Sequence, residues 1–125
     1  MWPALALIGA LSSAQPAPAP CDVLAGHPSD PDKVGPGIDR EKIDVPSAIA
    51  ACETGLKTDP SNMRFEYQLG RLLFYAKRTT DALPHLERSA KGGHRQAQFV
   101  LGYIHEEGLN DLPKNTCLAE PLWRE

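Results

Sequence analysis

Phe65-Glu66-Tyr67-Gln68-Leu69-Gly70 is answered by Ala97-Gln98-Phe99-Val100-Leu101-Gly102, which puts the two Leu-Gly pairs 32 positions apart. Each pair is followed by an aromatic residue or a histidine (Tyr75, His105), then a turn. A second short pattern opened by alanine comes next, Ala82-Leu83-Pro84-His85-Leu86 and Ala119-Glu120-Pro121-Leu122-Trp123, and even the proline two residues after the alanine recurs. Self-similarity at a period in the thirties marks helical hairpins that bury their apolar faces against neighbouring hairpins. The expected fold is therefore all-α, a short α/α solenoid of antiparallel helix hairpins.

The individual helices follow from caps and apolar spacing. Asp44-Val45-Pro46 is a helix start, with Asp44 as N-cap and Pro46 in the first turn, where a missing N–H costs little. Val45, Ala48, Ile49, Cys52 and Leu56 then share one face until Asp59-Pro60 ends the element. Ser61 or Asn62 caps a helix reaching about Ala76, with Phe65, Leu69, Leu72, Leu73 and Ala76 on its buried face. Gly70 costs about 1 kcal/mol relative to alanine inside a helix, which points to close approach of the next helix. Thr79 or Thr80 caps the following helix, whose apolar face is Ala82, Leu83, Leu86 and Ala90 and whose stop is Gly92-Gly93. His94 stands at the N-cap of a third, from about Arg95 to Glu107, burying Ala97, Val100, Leu101 and Ile104. A fourth begins near Asn115.

Upstream the pattern changes. Residues 1–14 are uncharged along their side chains, apolar from Ala4 to Leu11, and close on Ser12-Ser13-Ala14, which reads as a signal peptide cut after Ala14, with Ala17 and Ala19 as further options. Residues 15–20 read as an extended linker. Pro18-Ala19-Pro20 before Cys21 does not resemble a lipobox, so a lipoprotein is not expected. Between Cys21 and Asp44 a helical turn at Cys21–Ala25 is followed by His27-Pro28, Asp30-Pro31 and Gly35-Pro36-Gly37, each of which disfavours helix. That segment must be held by contacts outside itself. Export, to a periplasmic or secreted location, allows a disulfide between Cys21 and Cys52, the alternative being two unpaired thiols. Cys117, the remaining one of three cysteines, is either a small core residue or a partner-pairing thiol. The whole divides into 1–14 signal peptide, 15–20 linker, 21–60 a disulfide-stapled N-terminal cap with a half-repeat, and 61–125 two repeats, the last incomplete.

The order Leu69-Gly70, Tyr75, Ala82, Ala90, Gly93, Ala97, Leu101-Gly102, Gly108, Ala119 and Trp123 resembles the Sel-one-like repeat, a tetratricopeptide-like α/α family. The resemblance covers about Phe65 to Glu125, and Asp44 to Pro60 looks like a preceding half-repeat. It implies a protein-interaction scaffold with no catalytic residues of its own.

Composition bounds the chemistry. A formal net charge of -3 with scattered Lys and Arg argues against a nucleic-acid groove, and no apolar run is long enough to span a membrane. His85, His94 and His105 lie singly on different helices without the i, i+4 pairing of a zinc helix, so neither metal nor cofactor is expected. Cys117 has no neighbouring base. Subtracting the core-facing positions leaves Tyr67, Arg71, Phe74, Phe99 and Tyr103 as a candidate partner-binding groove, aromatic and arginine residues being the usual interface anchors; Phe74 and Phe99 are alternatively packed between units. The reading is an exported, non-catalytic adaptor for a protein partner. The alternative is a weak hydrolase grafted on the repeat.

Overall fold

The computed structural model describes residues 17–108, so the leader, Cys117 and the helix expected from Asn115 lie outside the described residues. Among the described residues the chain is all-helical: α1 (Pro20–Ala25), a 3-10 turn (Arg40–Lys42), α2 (Val45–Thr58), α3 (Met63–Tyr75), α4 (Thr79–Lys91) and α5 (Arg95–Glu107). Neighbours in sequence are neighbours in space, α2 on α3, α3 on α4 and α4 on α5, while α1 packs on both α2 and α3. Pro20, assigned to the linker from sequence, instead occupies the first turn of α1.

The 32-residue period is visible in the backbone. α3 and α5 are each 13 residues long, and their bounds differ by one period at both ends. Their caps repeat as well. The Asn62 side chain accepts from the Phe65 N–H at 3.0 Å, and the His94 Nδ1 accepts from the Ala97 N–H at 3.3 Å. One orphan donor at each helix start is thereby satisfied. α4 departs from the expected capping: its N-cap is Arg78, and Thr79 is buried in its first turn.

The core joins Ala48 and Cys52 of α2, Phe65, Leu69, Leu72 and Leu73 of α3, Ala82, Leu86 and Ala90 of α4, and Ala97, Leu101 and Ile104 of α5. Val100 and Leu83 are half-buried, and Ala76, expected in the core, is an exposed C-cap. A Cβ on Gly70 would lie 2.8 Å from two side-chain carbons of Leu86, so α4 crosses α3 where the side chain is missing. The Cys21–Cys52 disulfide is formed, with S–S 2.05 Å, and it ties α1 to the buried face of α2.

Candidate functional site

α3 is buried on all sides from Phe65 to Leu73, which an ordinary amphipathic helix is not. The reason is the segment from Pro20 to Ile38. It lies along the α3 flank that the apolar stripe leaves over, and the polar side chains there reach into it. Arg64 holds the Asp22 carboxylate with two contacts, Nε–Oδ1 at 2.6 Å and an NH2 donor to Oδ2 at 3.2 Å. Gln68 Nε2 donates to Asp22 Oδ1 at 3.2 Å and to Cys21 Sγ at 3.1 Å. Arg71 donates to the backbone carbonyls of Ala25 (3.0 Å) and Ile38 (3.3 Å) and to the Tyr75 hydroxyl (3.0 Å). Arg64, Gln68 and Arg71 are spaced four and three apart and so form one row on the helix.

At the start of α5 the same segment is fastened again. His94 Nε2 lies 3.0 Å from Asp30 Oδ2, although the angle is too poor for a full hydrogen bond and both atoms are otherwise unpaired. Arg95 meets Asp32 at 2.7 Å, and this hydrogen bond holds the Asp32 carboxyl below its ordinary range. The His94 ring stacks on Tyr67, centroids 4.8 Å apart. Burial pushes the Tyr67 hydroxyl above the usual phenol pKa. Farther along, Tyr75 is flanked by Arg40, 4.2 Å from its ring centroid, and by Arg71 at 5.2 Å, contacts in the range of cation–π attraction.

The five residues expected to line an open groove therefore separate. Tyr67 (0% exposed) and Arg71 (4%) are interior, covered by the N-terminal segment and by His94. Phe74 is half-buried beside Tyr75. Phe99 (59%) and Tyr103 (43%) are exposed, one turn apart on α5. Periodicity finds the face that meets the sequence-adjacent helices, but it carries no signal for a segment docking from more than 40 residues upstream, as Asp22 does on Arg64. Asp30 and Asp32 lie in a stretch without helical or strand spacing and Asp22 in a helix of six residues, and the sequence pattern does not single them out.

Two further clusters bear on chemistry. Ligand atoms of Asp30, Asp32 and His94 lie within 4.8 Å of one another, a grouping that could in principle hold a metal. His94 Nδ1, however, accepts from the Ala97 N–H, which places the ring proton of neutral imidazole on Nε2 and leaves that nitrogen no lone pair for an ion. Asp32 is at the same time engaged by Arg95. On α3, the buried Glu66 carboxylate meets Arg88 Nε at 2.9 Å and His85 Nδ1 at 3.2 Å, beside a groove lined by Glu53, Leu56, Lys57 and Leu69.

No described helix is long and apolar enough to cross a membrane. Comparison with protein-family models, with curated proteins and with solved structures gave no match.

Proposed function

We propose that this chain is an exported, non-catalytic helical-repeat scaffold of the Sel-one-like kind, an α/α solenoid that binds a protein partner through the inner face of its first-of-hairpin helices. The observation that carries the reading is the 32-residue offset between α3 and α5, in bounds and in capping contact alike. Such a recurrence is what stacked, equivalent hairpins produce. The disulfide supports an oxidising compartment. Glu66 contacts Arg88 and His85, and Asp32 contacts Arg95, pairings that are compatible with a binding scaffold.

On this reading the accessible part of the partner surface is Phe99 with Tyr103, and Tyr67 and Arg71 are interior. The test is capture from an envelope or secreted fraction with the full chain and with Phe99→Ala/Tyr103→Ala. A partner retained by the parent and lost by the variant, with helix content unchanged, is the expected result. Equal capture by both removes this face as the site.

A further inference from the structure

The segment from Pro20 to Ile38 is fastened to the helices by contacts that have the chemistry of ligand recognition. Two of its carboxylates each meet a guanidinium, Asp22 on Arg64 and Asp32 on Arg95, and a third, Asp30, faces the His94 ring at 3.0 Å without a hydrogen bond. Two of its backbone carbonyls are read by Arg71. Arginine–carboxylate contacts of this kind, with carbonyls held by a fixed guanidinium, recognise an acidic segment with little regard to its other side chains.

The fit is incomplete in one respect. The buried polar atoms without a hydrogen-bond partner among the described residues are Asp30 Oδ2, His94 Nε2, Tyr67 Oη and Gln68 Oε1. All four belong to this junction: Gln68 also contacts Asp22, Tyr67 stacks on His94, and the Tyr67 hydroxyl approaches Gln96 without reaching hydrogen-bond geometry. Unpaired buried polar groups weaken the docked state relative to one in which they are satisfied. The covalent bond from Cys21 to Cys52 works in the other direction, because it keeps α1 in place whatever the strength of the polar contacts.

We propose that residues 20–38 are a built-in occupant of an acidic-peptide site on α3 and α5, clasped by the Cys21–Cys52 disulfide, and that opening the clasp lets an acidic peptide take their place. This rests on the scaffold reading and names how part of its inner face is controlled. Opening needs a dithiol reductant: its two thiols become a disulfide, and two electrons and two protons pass to the sulfurs of Cys21 and Cys52. An apolar notch lined by Ala19, Pro20, Cys21, Ala51, Thr54 and Gly55 lies beside the bond. The bond itself is buried, so the exchange proceeds through local opening of α1.

The probe is a fluorescent synthetic peptide with the sequence of residues 20–38 and serine in place of Cys21, titrated by anisotropy. Its binding partners are the full oxidised chain and the full-chain variant Cys21→Ser/Cys52→Ser. Saturable binding to the variant and none to the oxidised parent is expected, with at least a tenfold loss when the peptide carries Asp22→Asn or the protein also carries Arg64→Gln. A variant that stays helical and does not bind overturns the proposal, as does equal binding by both proteins. Loss of helix in the variant also overturns it, since the segment is then part of the core and cannot be displaced. Each of these outcomes is independent of whether Phe99 and Tyr103 hold a partner.

Discussion

Tyr67 and Phe99 occupy the same register in helices one period apart, and one is fully buried while the other is 59% exposed. The difference lies in the neighbours that cover the first ring. Tyr67 packs beneath His94, the cap of the next helix, and beneath the N-terminal segment bonded to its neighbours Gln68 and Arg71. Truncation should separate the pair. Tyr67→Ala empties a packed site and should cost about 3–5 kcal/mol, whereas Phe99→Ala should stay within about 0.5 kcal/mol of the parent. Urea denaturation of the two variants measures both, and comparable losses would contradict the buried and exposed assignments.

Gly70→Ala brings two opposing effects into one position. Alanine gains about 1 kcal/mol of helix propensity, but its methyl would meet Leu86 carbons at 2.8 Å and the Leu86 backbone nitrogen at 3.3 Å. Overpacking of this kind costs about 1–3 kcal/mol. The backbone of α4 has little room to retreat, so the net result should be a loss of about 1 kcal/mol. In a Leu86→Ala background the two 2.8 Å contacts are gone and only the backbone nitrogen at 3.3 Å remains, so the same change should cost less than in the parent. An identical effect in both backgrounds would show that helix crossing is not the reason for the glycine.

Much of this architecture is written locally. Asn62 and His94 announce helix starts because a cap is a property of three adjacent residues, and Ala48, Cys52, Leu69, Leu86 and Leu101 announce the core because helical spacing places them on one stripe. The Cys21–Cys52 pairing could be reasoned out because Cys52 falls on that stripe in a chain with a loop-rich start. Arg71 could not be placed the same way. It sits off the apolar stripe, where an arginine ordinarily meets solvent, and its burial depends on the carbonyls of Ala25 and Ile38 arriving from far upstream. A backbone carbonyl has no residue identity, so no pattern of side chains foretells that contact. The carboxylate contacts of Asp22, Asp30 and Asp32 are long-range in the same sense.

Arg71→Met tests how much those carbonyl contacts matter. Methionine keeps most of the stem's volume but leaves two backbone acceptors without their donors. With each hydrogen bond to a charged group worth about 1.5–3 kcal/mol, a loss of roughly 3–6 kcal/mol is expected. Amide exchange should accelerate in residues 25–38 before it does in α4. A uniform change across the chain would show that Arg71 supports the helices as much as the segment.

Removing the disulfide acts mainly on the unfolded chain. The bond closes a loop with a sequence separation of 31, for which the chain-entropy model gives about 3–4 kcal/mol. Cys21→Ala/Cys52→Ala should therefore lower the urea midpoint substantially, and α1 should show the largest gain in amide exchange. An unchanged midpoint would remove the bond's structural role.

Mild acid should weaken the fold through His27. Its imidazole is half-buried, accepts from the Ser29 N–H at 3.0 Å and lies near the Arg71 guanidinium. Burial first, and the charge of Arg71 second, lower its pKa below the ordinary 6.5, while Asp30 opposes them. The unfolded chain thus binds this proton more readily than the folded one, and unfolding free energy rises with pH wherever that holds. Stability from His27 is fully present above pH 6.5 and falls as the pH drops below it toward the folded pKa. The Asp32 carboxyl, held down by Arg95, adds a separate loss only below its ordinary 3.8. Denaturation midpoints between about pH 7.5 and 5 span the ordinary histidine range, and the part of the dependence that His27→Gln removes is the contribution of His27. A slope unchanged by the substitution would mean that another group takes up the proton, and the junction between Arg71 and the N-terminal segment would then be insensitive to acid.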